Sequence, residues 1–220
     1  MILARLERRG EKVRLEALKE LSIPKDESAA VYLSMQEIER INALHLHKDS
    51  AQVRDIFIVG CLTGLRYSDY SRLSEDNFVN SNIDILTKKT NTRVVIPVHP
   101  LIDDLIARNN GYGFLRYNKS QQNFNMRIKY ICKKAGINEK VHYECTEGFR
   151  RVKHTKRKYE LISSHTARRS CATNMYLSGI PTARIMLITG HKTESAFFTY
   201  IRIRKEENAE ELRAHPFFSR

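Results

Sequence analysis

Apolar and polar positions alternate along the chain with two different periods. Apolar residues spaced three and four apart predict helices over about 35–44, 53–62, 100–107, 121–135 and 182–188. Two short β-branched runs, 83–85 and 94–96, flank a polar stretch and predict a hairpin, with room for a third strand before it. The pattern therefore predicts a mainly α domain with a small antiparallel β-sheet, an α+β fold.

Polar side chains at the predicted helix starts define the boundaries more closely. Ser34 and Glu37 have the spacing of a capping box, which predicts a helix start at Met35. Ser164 is the predicted cap of a longer helix from His165 to Leu177. Shorter helices are predicted near Tyr67 and between the cap Thr193 and Tyr200.

The predicted elements divide the chain into three parts. Residues 1–30 are highly charged and end in a linker after Pro24, and residues 31–203 contain the predicted helices and sheet. Residues 204–220 form a helix-prone tail. Within the central part, segment 139–163 has no clear period and is strongly basic, so it is predicted to be less regular.

Charge is where the composition departs most from an ordinary globular protein. The chain has 38 Lys and Arg against 25 Asp and Glu, for a net charge of +13 and a pI near 9.7. Such an excess favours a polyanionic partner, whose phosphates basic side chains neutralise. A basic protein with nothing more than a solvated surface is the alternative that composition alone leaves open.

Cysteine usage and hydropathy restrict the class further. Cys61, Cys132, Cys145 and Cys171 are scattered, which argues against a zinc ribbon or a disulfide framework and predicts a reducing, cytoplasmic setting. No apolar run approaches membrane-spanning length, so no membrane partner is expected. We also find no P-loop and no carboxylate cluster with metal-ligand spacing, so we expect neither cofactor nor metal.

Five residues at separate positions in the sequence are suited to phosphate chemistry. His165 and Arg168 are three apart, so they project from one helix face. His191 follows a glycine, Tyr200 comes nine positions later, and Arg66 follows the turn at 63–65. Each alone is most simply an exposed surface residue, but together they form the set that metal-free phosphodiester cleavage requires. Arginine binds phosphate bidentately, histidine exchanges protons, and tyrosine acts as a nucleophile.

These residues resemble a known family in order and spacing. Residues 63–69, Thr-Gly-Leu-Arg-Tyr-Ser-Asp, look like the first-arginine motif of the tyrosine recombinase, or phage integrase, family. His165-x-x-Arg168, His191 and Tyr200 resemble its second box. The likeness runs from about residue 31 to 203. The sequence around the motifs is most similar to integrases of bacterial conjugative transposons and related mobile elements. It implies the tyrosine recombinase catalytic-domain fold.

The resemblance also implies a role for each matched residue. Arg66 and Arg168 would bind the scissile phosphate, and His165 and His191 would hydrogen-bond it, with His165 exchanging a proton with Tyr200. Tyr200 would attack phosphorus to give a 3′-phosphotyrosine. Asp69 would support the first arginine. The general acid would be a hairpin lysine, for which we favour Lys89, with Lys88 as the alternative.

Partners and assembly follow from the same resemblance. The expected partner is double-stranded DNA with recombination sites, bound by four protomers. A basic segment would follow the DNA backbone, although an ordinary solvated hairpin explains it equally well: Arg150, Arg151, Lys153, Lys156, Arg157 and Lys158. The tail would dock on a neighbouring protomer or on its own domain.

The family's amino-terminal DNA-binding domain has no full counterpart in residues 1–30. We interpret this segment as a linker or remnant of such a region, and the chain as a fragment; a shortened partner segment is the alternative.

Two rival functions share most of these features. A non-catalytic DNA-binding regulator should have lost Arg66, Arg168 or Tyr200, and a type IB topoisomerase is disfavoured by the compact spacing from Arg168 to Tyr200.

Overall fold

Two units are distinguished in the chain, and each is described by itself. The computed structural model describes residues 30–147, 150–191, 193–201, 203, 209–210, 212–213 and 216–218. The larger unit comprises Ala29–His142 and Thr155–Arg220, and the smaller comprises Met1–Ser28 and Tyr143–His154. The predicted linker up to residue 29 and most of the predicted tail helix lie outside the described residues.

The larger unit is mainly helical. Its helices are α1 (Met35–Asn42), α2 (Lys48–Thr63), α3 (Tyr67–Tyr70), α4 (Pro100–Arg108), α5 (Gln121–Lys134), α6 (Lys158–Leu161), α7 (Ser164–Leu177), α8 (Thr182–Thr189) and α9 (Glu194–Phe198). Short 3₁₀ helices span Glu75–Asn77 and Tyr112–Leu115. This agrees with the predicted helices, and the prediction of a mainly α fold with small antiparallel sheets is confirmed.

Local capping explains where two of these helices begin. Ser34 and Glu37 form the predicted capping box, each side chain accepting the other's backbone N–H at 3.2 and 2.9 Å. Helix α7 begins one residue earlier than predicted, because Ser163 is the cap. The side chain of Ser164 instead accepts a 2.8 Å hydrogen bond from Gln121 on α5.

Helix α2 forms the centre of the larger unit. Its residues from Val53 to Cys61 are buried on all sides, so it lies within the core rather than at its edge. It packs mainly against α7, and aromatic rings of α3 and α5 join the same core.

The end of α2 requires glycine for two reasons. Gly64 is left-handed, with φ of 66°. A Cβ at this position would also lie 3.1 Å from the sulfur of Cys171 on α7. The chain therefore turns tightly against α7 just before Arg66.

A three-stranded antiparallel sheet lies beside the helices. Strands β1 (Phe78–Val79), β2 (Asn82–Leu86) and β3 (Arg93–Pro97) are arranged in that order. Two cross-strand pairs face the core, Ile83 with Ile96 and Ile85 with Val94. The predicted hairpin is present, and β1 is its third strand. The turn between β2 and β3 carries the two candidate lysines.

Segment 139–163 is more regular than predicted. Strands β4 (Lys140–Glu147) and β5 (Arg150–Arg157) form a two-stranded sheet, so the prediction of an irregular segment is wrong for these residues. Inside the smaller unit the rings of Tyr143 and His154 stack at 5.3 Å, and Lys153 lies 3.8 Å from Glu144. These cross-strand pairs stabilise a ribbon whose polar sequence contains few apolar residues to predict it.

Across the described part of the chain, the helices are too short or too polar to cross a bilayer.

Candidate active site

Arg168 is the most deeply buried charge of the candidate site. It projects from α7 and is 2% exposed. Its guanidinium donates to two main-chain carbonyls, those of Gly64 at 2.8 Å and of Thr189. The ends of α2 and α8 therefore hold it in place. Burial and then the charge of Arg66 lower its pKa to about 10, while Tyr200 acts in the opposite direction.

Arg66 brings a second guanidinium to the same place. It caps the start of α3, directly after the turn at Gly64, and is half-buried. Arg66 comes two residues after Gly64, whose carbonyl accepts a hydrogen bond from Arg168, and its charge is the first electrostatic cause of the lowered pKa of Arg168. Among the described residues, no hydrogen bond or ion pair of the Arg66 side chain is found. Two like charges without a carboxylate between them create a strong local attraction for an anion.

Two imidazoles lie against the phenol ring of Tyr200. The ring of His191, just after α8, is 4.5 Å from the ring of Tyr200. The ring of His165, on α7, is 5.2 Å from the ring of Tyr200. The guanidinium carbon of Arg168 is 5.5 Å from the centre of the phenol ring. Tyr200 lies two residues after the end of α9, and its N–H donates to the carbonyl of Phe197 at 2.8 Å, which fixes its backbone.

Both histidines are poor proton binders in this setting. Burial and then the charges of Arg169, Arg168, Arg66 and Lys89 lower the pKa of His165 to about 4. Burial and then the charges of Arg168, Arg66 and His165 lower the pKa of His191 to about 4. Both rings are therefore neutral at pH 7. A bound phosphate would oppose these positive charges and favour protonation.

The β2–β3 turn places Lys89 within electrostatic reach of the site. The Lys89 charge is among the causes that lower the pKa of His165, whereas Lys88 is not. Both side chains are exposed. The choice of Lys89 over Lys88 as the lysine of the site stays a prediction, which this electrostatic difference supports.

Asp69 occupies a different position from the one expected. The side chain is fully buried, and Oδ1 accepts the backbone N–H of Lys88 at 2.9 Å and the guanidinium of Arg72 at 3.4 Å. Within the described residues, the carboxylate of Asp69 makes no hydrogen bond to Arg66, and its Oδ2 has no partner. The expected support of Arg66 is corrected accordingly: the carboxylate holds the lysine turn against α3.

The predicted basic segment is exposed except at its last residue. Exposed members are Arg150, Arg151, Lys153, Lys156 and Arg157. Lys158 is 7% exposed, and its ammonium lies 2.8 Å from Glu37 and over the ring of Tyr32. The prediction that Lys158 contacts DNA is therefore corrected, because its charge is already neutralised inside the larger unit.

Thr189 belongs to the site and was not predicted. Its carbonyl accepts from Arg168, and its hydroxyl lies 2.8 Å from Nδ1 of His191. A threonine in the last turn of a helix usually bonds to its own backbone, so the sequence offers no signal beyond its place two residues before His191. The cluster thus joins elements that are far apart in the chain: the start of α3, the β2–β3 turn, α7, α8 and the segment after α9.

The cluster offers positive charge, proton carriers and one nucleophile, and these together suit anion binding and attack at phosphorus. Within the described residues, no group of three or more His, Cys, Asp or Glu side chains is placed to hold a metal ion.

Comparisons with known proteins identify the family and the fold. The phage integrase family model matches residues 32–207. The structure is similar to the XerA recombinase, with a TM-score of 0.61 and 18% identity over 91% of this chain and 71% of that one. No curated protein sequence matches the chain.

Two further similar structures contain DNA. A XerH site-specific recombinase bound to a palindromic difH substrate has a TM-score of 0.58 and 18% identity, over 83% of this chain and 52% of that one. A lambda integrase dimer bound to a core site has a TM-score of 0.56 and 16% identity, over 81% and 62%. The chain thus spans about half the length of that XerH recombinase. The chain belongs to the phage integrase family, and its fold is that of a tyrosine recombinase catalytic domain.

Proposed function

We propose that this chain is the catalytic domain of a site-specific DNA recombinase that cleaves and rejoins DNA strands through a 3′-phosphotyrosine on Tyr200. One observation carries the proposal: Arg168 and both histidine rings converge on a single phenol, with ring distances of 4.5 and 5.2 Å. The charge of Arg66 reaches the same cluster. A purely structural role for Tyr200 would not require a buried guanidinium without a carboxylate partner and two imidazoles around its ring.

Each residue has a role in the proposed reaction. Arg66 and Arg168 bind the non-bridging oxygens of the scissile phosphate and stabilise the charge that develops on them. Tyr200 Oη forms a bond to phosphorus, and the bond from phosphorus to the 5′ oxygen breaks. The phenolic proton passes to neutral His165, and the Lys89 ammonium gives a proton to the departing 5′ oxygen. His191 hydrogen-bonds the phosphate.

The products of cleavage conserve the energy needed for rejoining. The 3′-phosphotyrosine ester replaces the phosphodiester, and a 5′-hydroxyl is released. Attack of another strand's 5′-hydroxyl on this ester reverses the steps, returning the proton to Tyr200. Strand exchange of this kind needs no nucleotide hydrolysis.

The proposed partner is double-stranded DNA carrying recombination sites. The net charge of +13 and the exposed basic side chains of β5 support it, since phosphate neutralisation supplies most of the affinity for duplexes. Exchange between two duplexes requires four strand cleavages. Each protomer supplies one Tyr200, so we propose four protomers on the DNA. All four cysteines are thiols, in line with the proposed cytoplasmic setting.

A covalent-adduct assay tests the nucleophile. The chain is incubated with a pool of nicked duplexes of random sequence, in which cleavage near the nick releases a short strand and traps the enzyme. A protein–DNA adduct should survive a denaturing gel. Tyr200→Phe should abolish it while DNA binding persists, and the exposed Tyr130→Phe should retain it. An adduct in the Tyr200→Phe variant would show that another residue attacks.

The same assay separates the enzyme from the alternative, a non-catalytic DNA-binding regulator. A regulator would retain DNA in a native gel and form no adduct in the wild-type chain. Arg168→Ala should slow adduct formation by about 10²–10³-fold, because a preorganised positive charge is lost from the transition state. An unchanged rate would remove Arg168 from the proposed mechanism.

A further inference from the structure

The hydroxyl proton of Thr189 is already used in a hydrogen bond. Its Oγ1 donates to the carbonyl of Ile185 at 2.8 Å, within α8. A hydroxyl has a single proton, so toward any other neighbour it can only accept. That neighbour is Nδ1 of His191, also at 2.8 Å. With the proton used on Ile185, the shared hydrogen bond requires a proton on Nδ1.

The opposite nitrogen of the same ring meets a group that can only donate. Nε2 of His191 lies 3.4 Å from Nη2 of Arg168, and a guanidinium has no acceptor. A proton on Nε2 would point toward the N–H groups of Arg168. Contacts on both sides of the ring therefore favour the same neutral form, with hydrogen on Nδ1 and a lone pair on Nε2.

We propose that Thr189 is a positioning residue that holds His191 in the Nδ1–H tautomer, so that Nε2 is the nitrogen that gains or loses a proton at the site. Thr189 itself is 2% exposed and is shielded from solvent, so water does not compete for this hydrogen bond. His191 acts through Nε2, the nitrogen on the side of Arg168.

The consequence for the reaction rests on the proposed function. Neutral His191 presents a lone pair at Nε2 and cannot donate to a phosphate oxygen from that atom. It can donate only after gaining a second proton. Burial and the charges of Arg168, Arg66 and His165 disfavour this second proton on His191. The ring of Tyr200 also packs against the imidazole. The negative charge of a bound phosphodiester offsets the two arginines, so protonation of His191 is linked to engagement of the substrate.

Nitrogen NMR of the DNA-free protein tests the tautomer. Long-range proton–nitrogen spectra of the ¹⁵N-labelled chain at pH 7 distinguish protonated from unprotonated ring nitrogens, and His191→Gln identifies the signals. We expect protonated Nδ1 and unprotonated Nε2 in the wild type. Thr189→Ser should retain this form, since its hydroxyl remains. Thr189→Val should give a measurable fraction of the Nε2–H tautomer, and Thr189→Ala the same if the valine variant does not fold.

The outcomes separate this inference from the proposed function. Nε2–H as the main wild-type form, or spectra unchanged by loss of the hydroxyl, would overturn the role of Thr189. These spectra need no DNA, so a missing covalent adduct would contradict the recombinase proposal and leave the tautomer result standing. If both hold, adduct formation by the wild type should decline more steeply with rising pH than in Thr189→Val, whose neutral ring can still donate from Nε2. Equal slopes would contradict the link.

Discussion

At the scale of single residues, two buried arginines contrast a charge that is paired within the fold with one that remains available at the proposed site. Arg54 is 5% exposed, and its guanidinium lies 2.7 Å from the carboxylate of Asp55. Arg168 is equally buried, but the described chain offers it carbonyl dipoles instead of a carboxylate, and its Nε has no acceptor. Dipoles orient a guanidinium without cancelling its charge, so Arg168 remains able to bind an anion.

The two histidines make stability depend on pH. Their ordinary pKa is 6.5, and in the folded chain it is lowered to about 4 for both. Between these values the unfolded chain binds more protons than the folded one, so stability falls as pH falls. We predict a lower melting temperature at pH 5.5 than at pH 7. Calorimetry of the His165→Gln, His191→Gln double variant should show a smaller decrease, and an equal decrease would contradict the assignment.

At the scale of elements, the buried carboxylate of Asp69 connects α3 to the β2–β3 turn. This carboxylate accepts a hydrogen bond from the backbone N–H of Lys88, and the next residue, Lys89, is the proposed general acid. The element that carries Arg66 therefore also sets the position of the lysine. Loss of this connection should act on departure of the 5′ oxygen rather than on binding of the phosphate.

Sulfur substitution at the leaving group tests that connection. We predict that Lys89→Ala and Asp69→Ala each slow adduct formation by about 10²-fold or more, because the 5′ oxygen leaves without a proton. A duplex with 5′-bridging sulfur should restore both rates, since a thiolate departs unprotonated. Asp69→Asn retains an acceptor for Lys88 and should be milder. Lys88→Ala serves as the control. If 5′-bridging sulfur restored the rate of Lys88→Ala and not that of Lys89→Ala, the roles of the two lysines would be exchanged.

Gly64 ends α2 at a point where two constraints coincide. We predict that Gly64→Ala lowers the free energy of unfolding by about 2–4 kcal/mol, from the left-handed backbone and the close approach of Cys171. Gly179→Ala shares a positive φ but has nothing within 4 Å, so it should cost about 1–2 kcal/mol. Urea denaturation of both measures the difference. Equal losses would mean that the Cys171 contact contributes nothing.

Sequence reasoning succeeded where a local pattern decides the structure and failed where distant residues decide it. The capping box at Ser34 and the hairpin strands were predictable, because each depends on neighbours in the chain. The partners of Asp69 and Lys158 were not, since they come from residues 19 and 121 positions away. The matched motifs identified Arg168 and His191, but not Thr189, whose role depends on the way α8 ends.

At the scale of the whole molecule, the excess positive charge is distributed unequally between exposed and buried positions. Arg150, Arg151 and Lys153 of the smaller unit are exposed, whereas Lys158 of the larger unit is paired with Glu37. A count of basic residues cannot distinguish these two states. Only the exposed charges can exchange counterions for DNA phosphates.

Salt dependence and stability separate the two kinds of lysine. We predict that Lys153→Ala reduces the slope of log affinity against log salt for a duplex by about one, with little change in stability. Lys158→Met should leave the slope unchanged and cost about 3 kcal/mol in urea denaturation, because Glu37 loses its buried partner. The reverse pattern would return Lys158 to the DNA-binding set.

The main-chain carbonyls of Gly64 and Thr189 that hold Arg168 have a consequence for sequence divergence. Every amino acid has a carbonyl, so exchanging side chains around these anchors cannot remove them. Only displacement of a helix end would release the guanidinium. The position of Arg168 is therefore expected to tolerate replacement of most side chains around it, provided that α2 and α8 end at the same points in space.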